Sequence, residues 1–268
     1  MGADFTASFE AEQVAANDKS THVMSRTGEF NVTADWERQT CERLAAAMDR
    51  FSGPLAELTA RDANQGDTRL WVLDFLTYGF NFSKHSELTT EYRTGGASID
   101  YAIRRHGRLF APVEVRACGQ TLDVRNLQQA RRLAAREGAE WIFLTNARIW
   151  QAYHLRDMGA DAPRRPVRVI DVDLANAHGE EEDAFPAALD ALFYLTQEAI
   201  EHGRLQRLAD WRRNCEPAPL ADALRSDAVQ QALRWELRSR TGHPGHRGES
   251  EELLESLTQQ VVARGLLD

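Results

Sequence analysis

Two short apolar runs on either side of a polar turn constrain the fold of this chain more than any other feature. They lie in SIDYAIRRHGRLFAPVEVRACGQ, residues 98–120, and each carries one acid, Asp100 or Glu114, where a buried strand usually has none. If Gly107 is the centre of the turn, both acids stand seven residues from it and oppose each other in a hairpin. Alternate residues share a strand face, so Arg116 points the same way as Glu114. The sequence therefore predicts three ionisable groups on one patch of a mostly apolar sheet.

Further strand-like segments surround a short helix in the middle of the chain. ELTTEYRT precedes the hairpin, EWIFLTN and IWQAYHL follow it, and VRVIDVDL is one more candidate strand. The intervening segment DVRNLQQARRLAAREG has the pattern of a helix that ends at Gly138. The order strand, helix, strand favours a parallel pair, so we predict a mixed α/β sheet in which VEV and WIFL run parallel.

Helical segments flank this core. TADWERQTCERLAAAMDRFSGPLAEL has a Thr or Asp cap candidate and is expected to end at Gly53-Pro54. DTRLWVLDFLTYGF is predicted to be a helix that ends at Gly79. The apolar side expected for it consists of Leu70, Val72, Leu73, Phe75 and Leu76.

The second half of the chain is predicted to be helical after the sheet. EEEDAFPAALDALFYLTQEAIEHGRLQRLADWRR has a helical pattern, and EPAPLADALR has the composition of a linker. Two further helices are expected on either side of the loop TGHPGHRG. We thus predict an irregular or β-rich lead-in at 1–33, an α/β core at 34–175 and a helical region at 180–268.

Charge is unevenly distributed along the chain. The whole sequence carries a net charge of −9, yet residues 91–170 hold 14 Arg, no Lys and 8 acids, a local charge of +6. Such a segment can present a positive surface to phosphates, or its arginines can form an ordinary solvated face. Charge alone leaves both interpretations open.

Composition excludes several classes of protein. The odd number of widely spaced cysteines, Cys41, Cys118 and Cys215, argues against a disulfide framework and against paired-cysteine zinc sites. There is no apolar run of about 18 residues and no signal-peptide pattern, so we expect a cytoplasmic protein without membrane association. No glycine-rich phosphate loop is present, which excludes a nucleotide-driven motor in this sequence.

Two opposed carboxylates favour a metal ion between them. Asp100 and Glu114 would repel each other unless a cation lies between them, and Mg²⁺, with Mn²⁺ as the alternative, binds such pairs together with waters and phosphate. The ion would polarise a phosphodiester and lower the pKa of an attacking water. The same spacing also suits an ordinary surface strand with Asp100 as an acid near the turn.

The motifs together resemble a known superfamily. The run E…GG.SIDYAI…PVEVRA.G..L…..QQARRLAA..GAEWIFLTNARIWQAY is similar to PD-(D/E)xK nucleases. It resembles more closely the nuclease-like N-terminal domain of type I restriction enzyme R subunits and their short standalone relatives. The similarity covers roughly residues 64–156. It implies a restriction-endonuclease-like core, a mixed β-sheet flanked by helices, with a helical C-terminal region.

The resemblance also implies roles for individual residues. Asp100 and Glu114 would be metal ligands, Arg116 takes the place of the catalytic lysine, and Gln129 matches a glutamine of such domains. Asp67 stands where the family has an additional acid, usually Glu, on its first core helix. Glu91 is the weaker competitor for that role.

The last hairpin of the family matches LTNARIWQAY, and we expect its matching residues to be mainly structural. They are Thr145, Asn146, Trp150 and Tyr153. Three positions depart from the family pattern: Arg116 replaces lysine, Leu133 replaces a tyrosine, and Ala147 replaces a turn glycine. The first matters most, because a guanidinium stays charged and cannot act as a base, although it can steady a phosphate.

These observations predict a Mg²⁺-dependent DNA endonuclease of restriction or anti-phage type. Asp67, Asp100 and Glu114 would hold the metal, while Arg116 would orient water or stabilise the pentacovalent phosphorus and Gln129 would position phosphate or water. The arginines expected to contact DNA are Arg131, Arg132 and Arg136.

Two alternatives remain open at this point. One is a catalytically silent protein on the same fold that binds nucleic acid or assembles with a partner, because Arg116 replaces the lysine. The other is a protein-binding module that uses the acidic helical tail. Besides DNA, the expected partners are a second copy of the chain or a defence-system subunit.

Overall fold

The computed structural model describes residues 34–157, 164–177 and 183–262. The predicted lead-in, residues 1–33, lies outside the described residues. The chain divides into two compact units, Met1–His202 and Gly203–Asp268.

The first unit is built on a mixed sheet of six strands. The strands are β1 (Leu88–Thr94), β2 (Ala97–Arg105), β3 (Arg108–Val115), β4 (Trp141–Thr145), β5 (Ile149–Arg156) and β6 (Arg165–Asp173). They lie side by side in chain order, and neighbours are antiparallel except for the parallel pair β3 and β4. The predicted α/β class and the parallel pairing of VEV with WIFL are therefore confirmed.

Helices cover the sheet. They are α1 (Asp35–Ala60), α2 (Gln65–Tyr78), α3 (Gln128–Glu137), α4 (Ala184–Phe193) and α5 (Gln197–Glu201). Helix α3 connects the parallel strands and packs an apolar face, which includes Leu133, against Ile142 and Leu144 of the sheet. It ends at Gly138, as predicted, because that residue adopts a left-handed φ of 74° that suits glycine.

Aromatic side chains join α1 and α2 to the sheet. Phe75 of α2 stacks on Trp71 with ring centroids 4.9 Å apart, and it also contacts Trp150 of β5 at 5.7 Å. Phe51 of α1 meets Phe75 edge-on at 5.7 Å. This packing fixes the position of α2 relative to the strands, and α2 supplies part of the candidate site.

The predicted end of α1 and its predicted cap are wrong. The helix continues through Pro54 to Ala60, because Phe51, Leu55 and Leu58 form one buried face on both sides of the proline. That burial offsets the loss of one backbone hydrogen bond at Pro54. The N-cap residue is Ala34, without a side-chain hydrogen bond, and Asp35 is the first residue of the helix, whereas Thr33 lies outside the described residues.

Helix α2 ends at Gly79 as predicted, but one of its expected core residues is exposed. Leu70 is 65% exposed, whereas Trp71, Val72, Phe75 and Leu76 are buried. The buried face of α2 is centred one residue further along the helix than the sequence pattern suggested.

The second unit is helical, which confirms the predicted class of the C-terminal region. Its helices are α6 (Arg204–Asn214), α7 (Pro217–Leu224), α8 (Asp227–Thr241) and α9 (Glu249–Ser256). The predicted linker is wrong, because EPAPLADALR forms α7 with Pro217 in its first turn, where proline is tolerated. The predicted loop between α8 and α9 is present. In the part of the chain that the structure describes, no helix is both long enough and apolar enough to cross a membrane.

Candidate functional site

The β2–β3 hairpin brings the two predicted acids to one place. Tyr101 pairs with Val113, and this register, carried one residue further, sets Asp100 opposite Glu114. A β-bulge nearer the turn shifts the remaining pairs by one residue without changing the register at the acids. The predicted register is thus confirmed for the strand pairs next to the site.

Glu114 is a buried acid with an arginine partner. Only 5% of the residue is exposed, and one of its carboxylate oxygens, Oε1, lies 2.7 Å from Nη2 of Arg116. Burial raises the pKa of Glu114 to about 7, although the positive charge of Arg116 opposes that shift and the negative charge of Asp100 adds to it. Glu114 lies beside Leu144 of β4 and therefore on the face that α3 covers.

Asp100 is held by a backbone amide and by a second arginine. Its Oδ2 accepts a hydrogen bond of 2.8 Å from the amide of Val115. Its Oδ1 lies 3.2 Å from Nε of Arg69, an ion pair rather than an aligned hydrogen bond. Arg69 belongs to α2 and also lies 3.5 Å from the Glu91 carboxylate. Both acids of the hairpin are thus neutralised by arginine.

Gln65 and Arg69 are site residues that the sequence analysis missed. The side-chain amide of Gln65 donates a 2.8 Å hydrogen bond to the carbonyl of Val115, the residue whose N–H is bound by Asp100. Gln65 and Arg69 are one turn apart and therefore share a face of α2. The sequence does contain a signal for these two site residues, because both flank the apolar stripe that anchors α2.

Asp67, the third predicted metal ligand, makes other contacts. Its carboxylate pairs with Arg61 at 3.1 Å, and its backbone N–H donates a 3.0 Å hydrogen bond to Oδ1 of Asn64, the N-cap of α2. Asp67 lies two residues, or about 200° of helical rotation, from Gln65. The weaker competitor, Glu91, pairs with Arg69 and with Arg93. Among the described residues, no group of three His, Cys, Asp or Glu side chains is arranged to hold a metal ion.

The donor set at the hairpin does not fit a divalent cation. Asp100 and Glu114 supply at most two negative charges, and the contacting guanidiniums of Arg69 and Arg116 supply two positive charges. A Mg²⁺ ion placed there would meet a neutral cluster with two cations within contact distance of its ligands. The carbonyl of Val115, next to Glu114 in the chain, accepts a hydrogen bond from Gln65.

The predicted basic residues of α3 differ in their surroundings. Arg132 and Gln129 line a polar groove together with Arg116. Arg131 donates a 3.1 Å hydrogen bond to the backbone carbonyl of Arg164 and lines a separate groove. The guanidinium of Arg136 lies against Gly95, where there is room for it only because glycine has no side chain.

The side chains of the β4–β5 hairpin make contacts that hold the fold together, as expected from the sequence. Asn146 bridges three backbone groups, with hydrogen bonds of 2.7 to 3.2 Å. The buried Trp150 donates to the Ala147 carbonyl at 3.0 Å, and Tyr153 donates to Gln151 at 2.8 Å. Ala147 has a φ of 71°, a conformation that glycine adopts readily, which explains why a glycine suits this turn.

Comparison with known proteins adds one distant likeness. No protein-family model and no curated protein matches this chain. A chain in the solved structure described as "cryoEM structure DrdV-DNA complex" is similar, with 15% sequence identity and a TM-score of 0.33. The match covers 58% of this chain and 96% of that chain. A likeness this distant carries no argument about activity.

Proposed function

We propose that this chain is a catalytically silent DNA-binding protein with a restriction-endonuclease-like core. The observation that carries the proposal is the neutralisation of the two hairpin acids. Arg69 contacts Asp100 and Arg116 contacts Glu114, so the site is an internal ion-pair cluster. Each carboxylate thus has a guanidinium in contact, so neither needs a metal ion as its counter-charge.

The identity of Arg116 supports loss of hydrolysis. A lysine can lose its proton when its pKa is lowered, and it can then help to deprotonate water. A guanidinium does not act as a proton acceptor, and that of Arg116 already contacts Glu114 at 2.7 Å. We therefore propose that Arg116 binds anionic groups and does not transfer a proton.

DNA is proposed as the partner because positive charge is concentrated next to the cluster. Arg116 and Arg132 line one groove with Gln129, and the segment 91–170 carries a charge of +6 in an otherwise acidic chain. Arginine side chains bind phosphate oxygens in two-pronged geometry, and glutamine adds hydrogen-bond donors. This distribution favours a phosphate-bearing partner.

One observation favours a second candidate, the Mg²⁺-dependent DNA endonuclease. Asp100 and Glu114 lie close enough for the charge of Asp100 to raise the pKa of Glu114. Paired carboxylates of this kind bind divalent cations in nucleases. On this reading the roles of Arg116 and Gln129 would be to orient water and phosphate.

A plasmid-cleavage time course separates the two candidates. Supercoiled plasmid is incubated with the wild-type chain and Mg²⁺ or Mn²⁺, with Asp100→Ala as the matched variant, and the mixture is deproteinised before electrophoresis. The proposal predicts intact supercoils with both proteins and a retarded band when the protein is left on the DNA. Nicking by the wild type that disappears in Asp100→Ala would establish the endonuclease instead.

A restored site provides a second test. Gln65→Glu combined with Arg116→Lys places a third carboxylate beside Val115 and replaces the fixed cation by lysine. We expect metal-dependent nicking to appear in this double variant if the cluster descends from a nuclease site. Arg61→Lys, at the ion pair with Asp67, is the control for an arginine-to-lysine change outside the hairpin.

A further inference from the structure

Helix α3 presents an exposed ridge with a groove on each side. The ridge consists of Gln128 and Arg132, which are four residues apart and therefore neighbours on the helix surface. Each of these two residues lines the first groove and the second. The first groove, of about 320 Å³, lies between this ridge and the end of β3 at Arg116. The second groove, of about 450 Å³, is closed on its far side by Leu155 and Arg164.

Arginine nitrogens in these grooves lack hydrogen-bond partners. Arg132 has no hydrogen-bond or ion-pair partner among the residues that the structure describes. Nη1 of Arg164 and Nε of Arg116 are buried nitrogen atoms with no hydrogen-bond partner in the same set. By contrast, Arg125 in the first groove is held by both side-chain and backbone contacts to Asp123. Buried donors without partners are costly, so both grooves favour an anion.

The walls of the grooves indicate which part of a nucleic acid they fit. Their described lining residues are arginine, glutamine, asparagine, glycine, alanine and leucine, and none is aromatic. Proteins that bind single strands use aromatic side chains as stacking platforms for the bases. Guanidinium and amide donors instead bind phosphate and sugar oxygens. These grooves are therefore suited to the sugar-phosphate backbone.

The size of α3 sets how many phosphates can be contacted. A helix with its side chains is about 10–12 Å across, and phosphates of one strand advance about 3.4 Å each along a duplex. A strand that crosses the ridge from one groove to the other therefore passes roughly three phosphates over α3. Arg132, which lines both grooves, would lie beneath the middle of that path.

We propose that duplex DNA lies across α3 with successive phosphates of one strand over the first groove, the ridge and the second groove. The contacts come from Arg116 and Gln129 in the first groove, Arg132 on the ridge and Arg164 in the second groove. Recognition is of the backbone, without base sequence, and a duplex is preferred to a single strand because its charge density is higher and its backbone is already ordered. This inference rests on the proposed DNA-binding function and assigns its interface and substrate class.

The test is a fluorescence-anisotropy titration of the full chain. The probes are a labelled duplex of arbitrary sequence, a second duplex of unrelated sequence, and the single strand of the first. Affinities are measured from about 50 to about 200 mM salt. Over this range each phosphate contact should account for a roughly 3.5-fold loss of binding affinity. We expect both duplexes to bind equally and more tightly than the single strand.

Groove variants locate the interface. Arg132→Gln and Arg164→Gln should each weaken duplex binding and lower the slope of log affinity against log salt by about one. Arg38→Gln is the matched control, because it removes the same charge from α1, where Arg38 pairs with Glu42 and lines neither groove. Far-UV circular dichroism of each variant establishes that it is folded.

The outcomes separate this inference from the function on which it rests. If the wild type binds neither duplex, both the proposed function and the interface are overturned. If it binds duplex DNA but Arg132→Gln and Arg164→Gln behave like Arg38→Gln, the interface alone is overturned. Tighter binding of the single strand, or discrimination between the two duplexes, also overturns the interface while DNA binding stands.

Discussion

Replacing Glu114 with glutamine should remove a pH-dependent loss of stability. Glu114 is 5% exposed, and its pKa of about 7 compares with an ordinary value of 4.5. Between these values the folded protein binds more protons than the unfolded chain, so the free energy of unfolding falls as pH rises. At 1.36 kcal/mol for each pKa unit, the loss amounts to about 3 kcal/mol and is complete once pH passes above about 7.

The assay is urea denaturation of wild type and Glu114→Gln at intervals from about pH 5 to about pH 8. The free energy of unfolding of the wild type should fall relative to the variant by about 2.5 kcal/mol over that range, most of it before pH 7. Asp190, whose pKa burial raises to about 6, titrates in both proteins and cancels in the difference. Parallel curves, or a wild type that gains stability with pH, would refute the reasoning that burial outweighs the charge of Arg116.

Three further substitutions, with Leu70→Ala as a control, test the packing that positions the site. Leu133→Ala empties a fully buried position between α3 and the sheet and should cost about 3 kcal/mol by urea denaturation, whereas Leu70→Ala, at a 65% exposed position, should change stability by less than about 0.5 kcal/mol. Gly138→Ala should cost about 1 kcal/mol in the same assay, for conformational reasons alone, because φ is 74° and no atom obstructs a Cβ. Asn146→Ala leaves three backbone groups without their partner and should lower the thermal midpoint by several degrees, a shift that calorimetry measures; an unchanged midpoint would refute its structural role.

The sequence was sufficient for the sheet and for the position of its acids because those depend on local signals. Turn residues, β-branched strands and a glycine stop at Gly138 specify the order of elements, and a two-residue period fixes which side chains share a face. The register at Asp100 and Glu114 also followed from counting residues to the turn. The bulge near the turn was not predictable, yet it leaves the pairs next to the acids in the expected register.

Tertiary packing explains where the sequence analysis failed. Pro54 is a local stop signal, but the buried face of α1 extends on both sides of it and the helix continues. In α2, the choice between Asp67 and Gln65 depends on how the helix is rotated against the strands. Aromatic packing of Phe75 sets that rotation, and it directs Gln65 towards Val115 while Asp67 meets Arg61. Residue type alone favoured Asp67 over Gln65 as the site residue of α2.

Binding of Mn²⁺ tests the central claim, that arginine neutralises the hairpin acids, most directly. The signal of free Mn²⁺ in electron paramagnetic resonance is followed as the full chain is added, for the wild type and for Asp100→Asn. The account predicts the same weak binding curve for both proteins, since Arg69 and Arg116 already neutralise the two carboxylates. A Mn²⁺ site in the wild type that is lost in Asp100→Asn would contradict it and would restore the metal-dependent endonuclease as the better account.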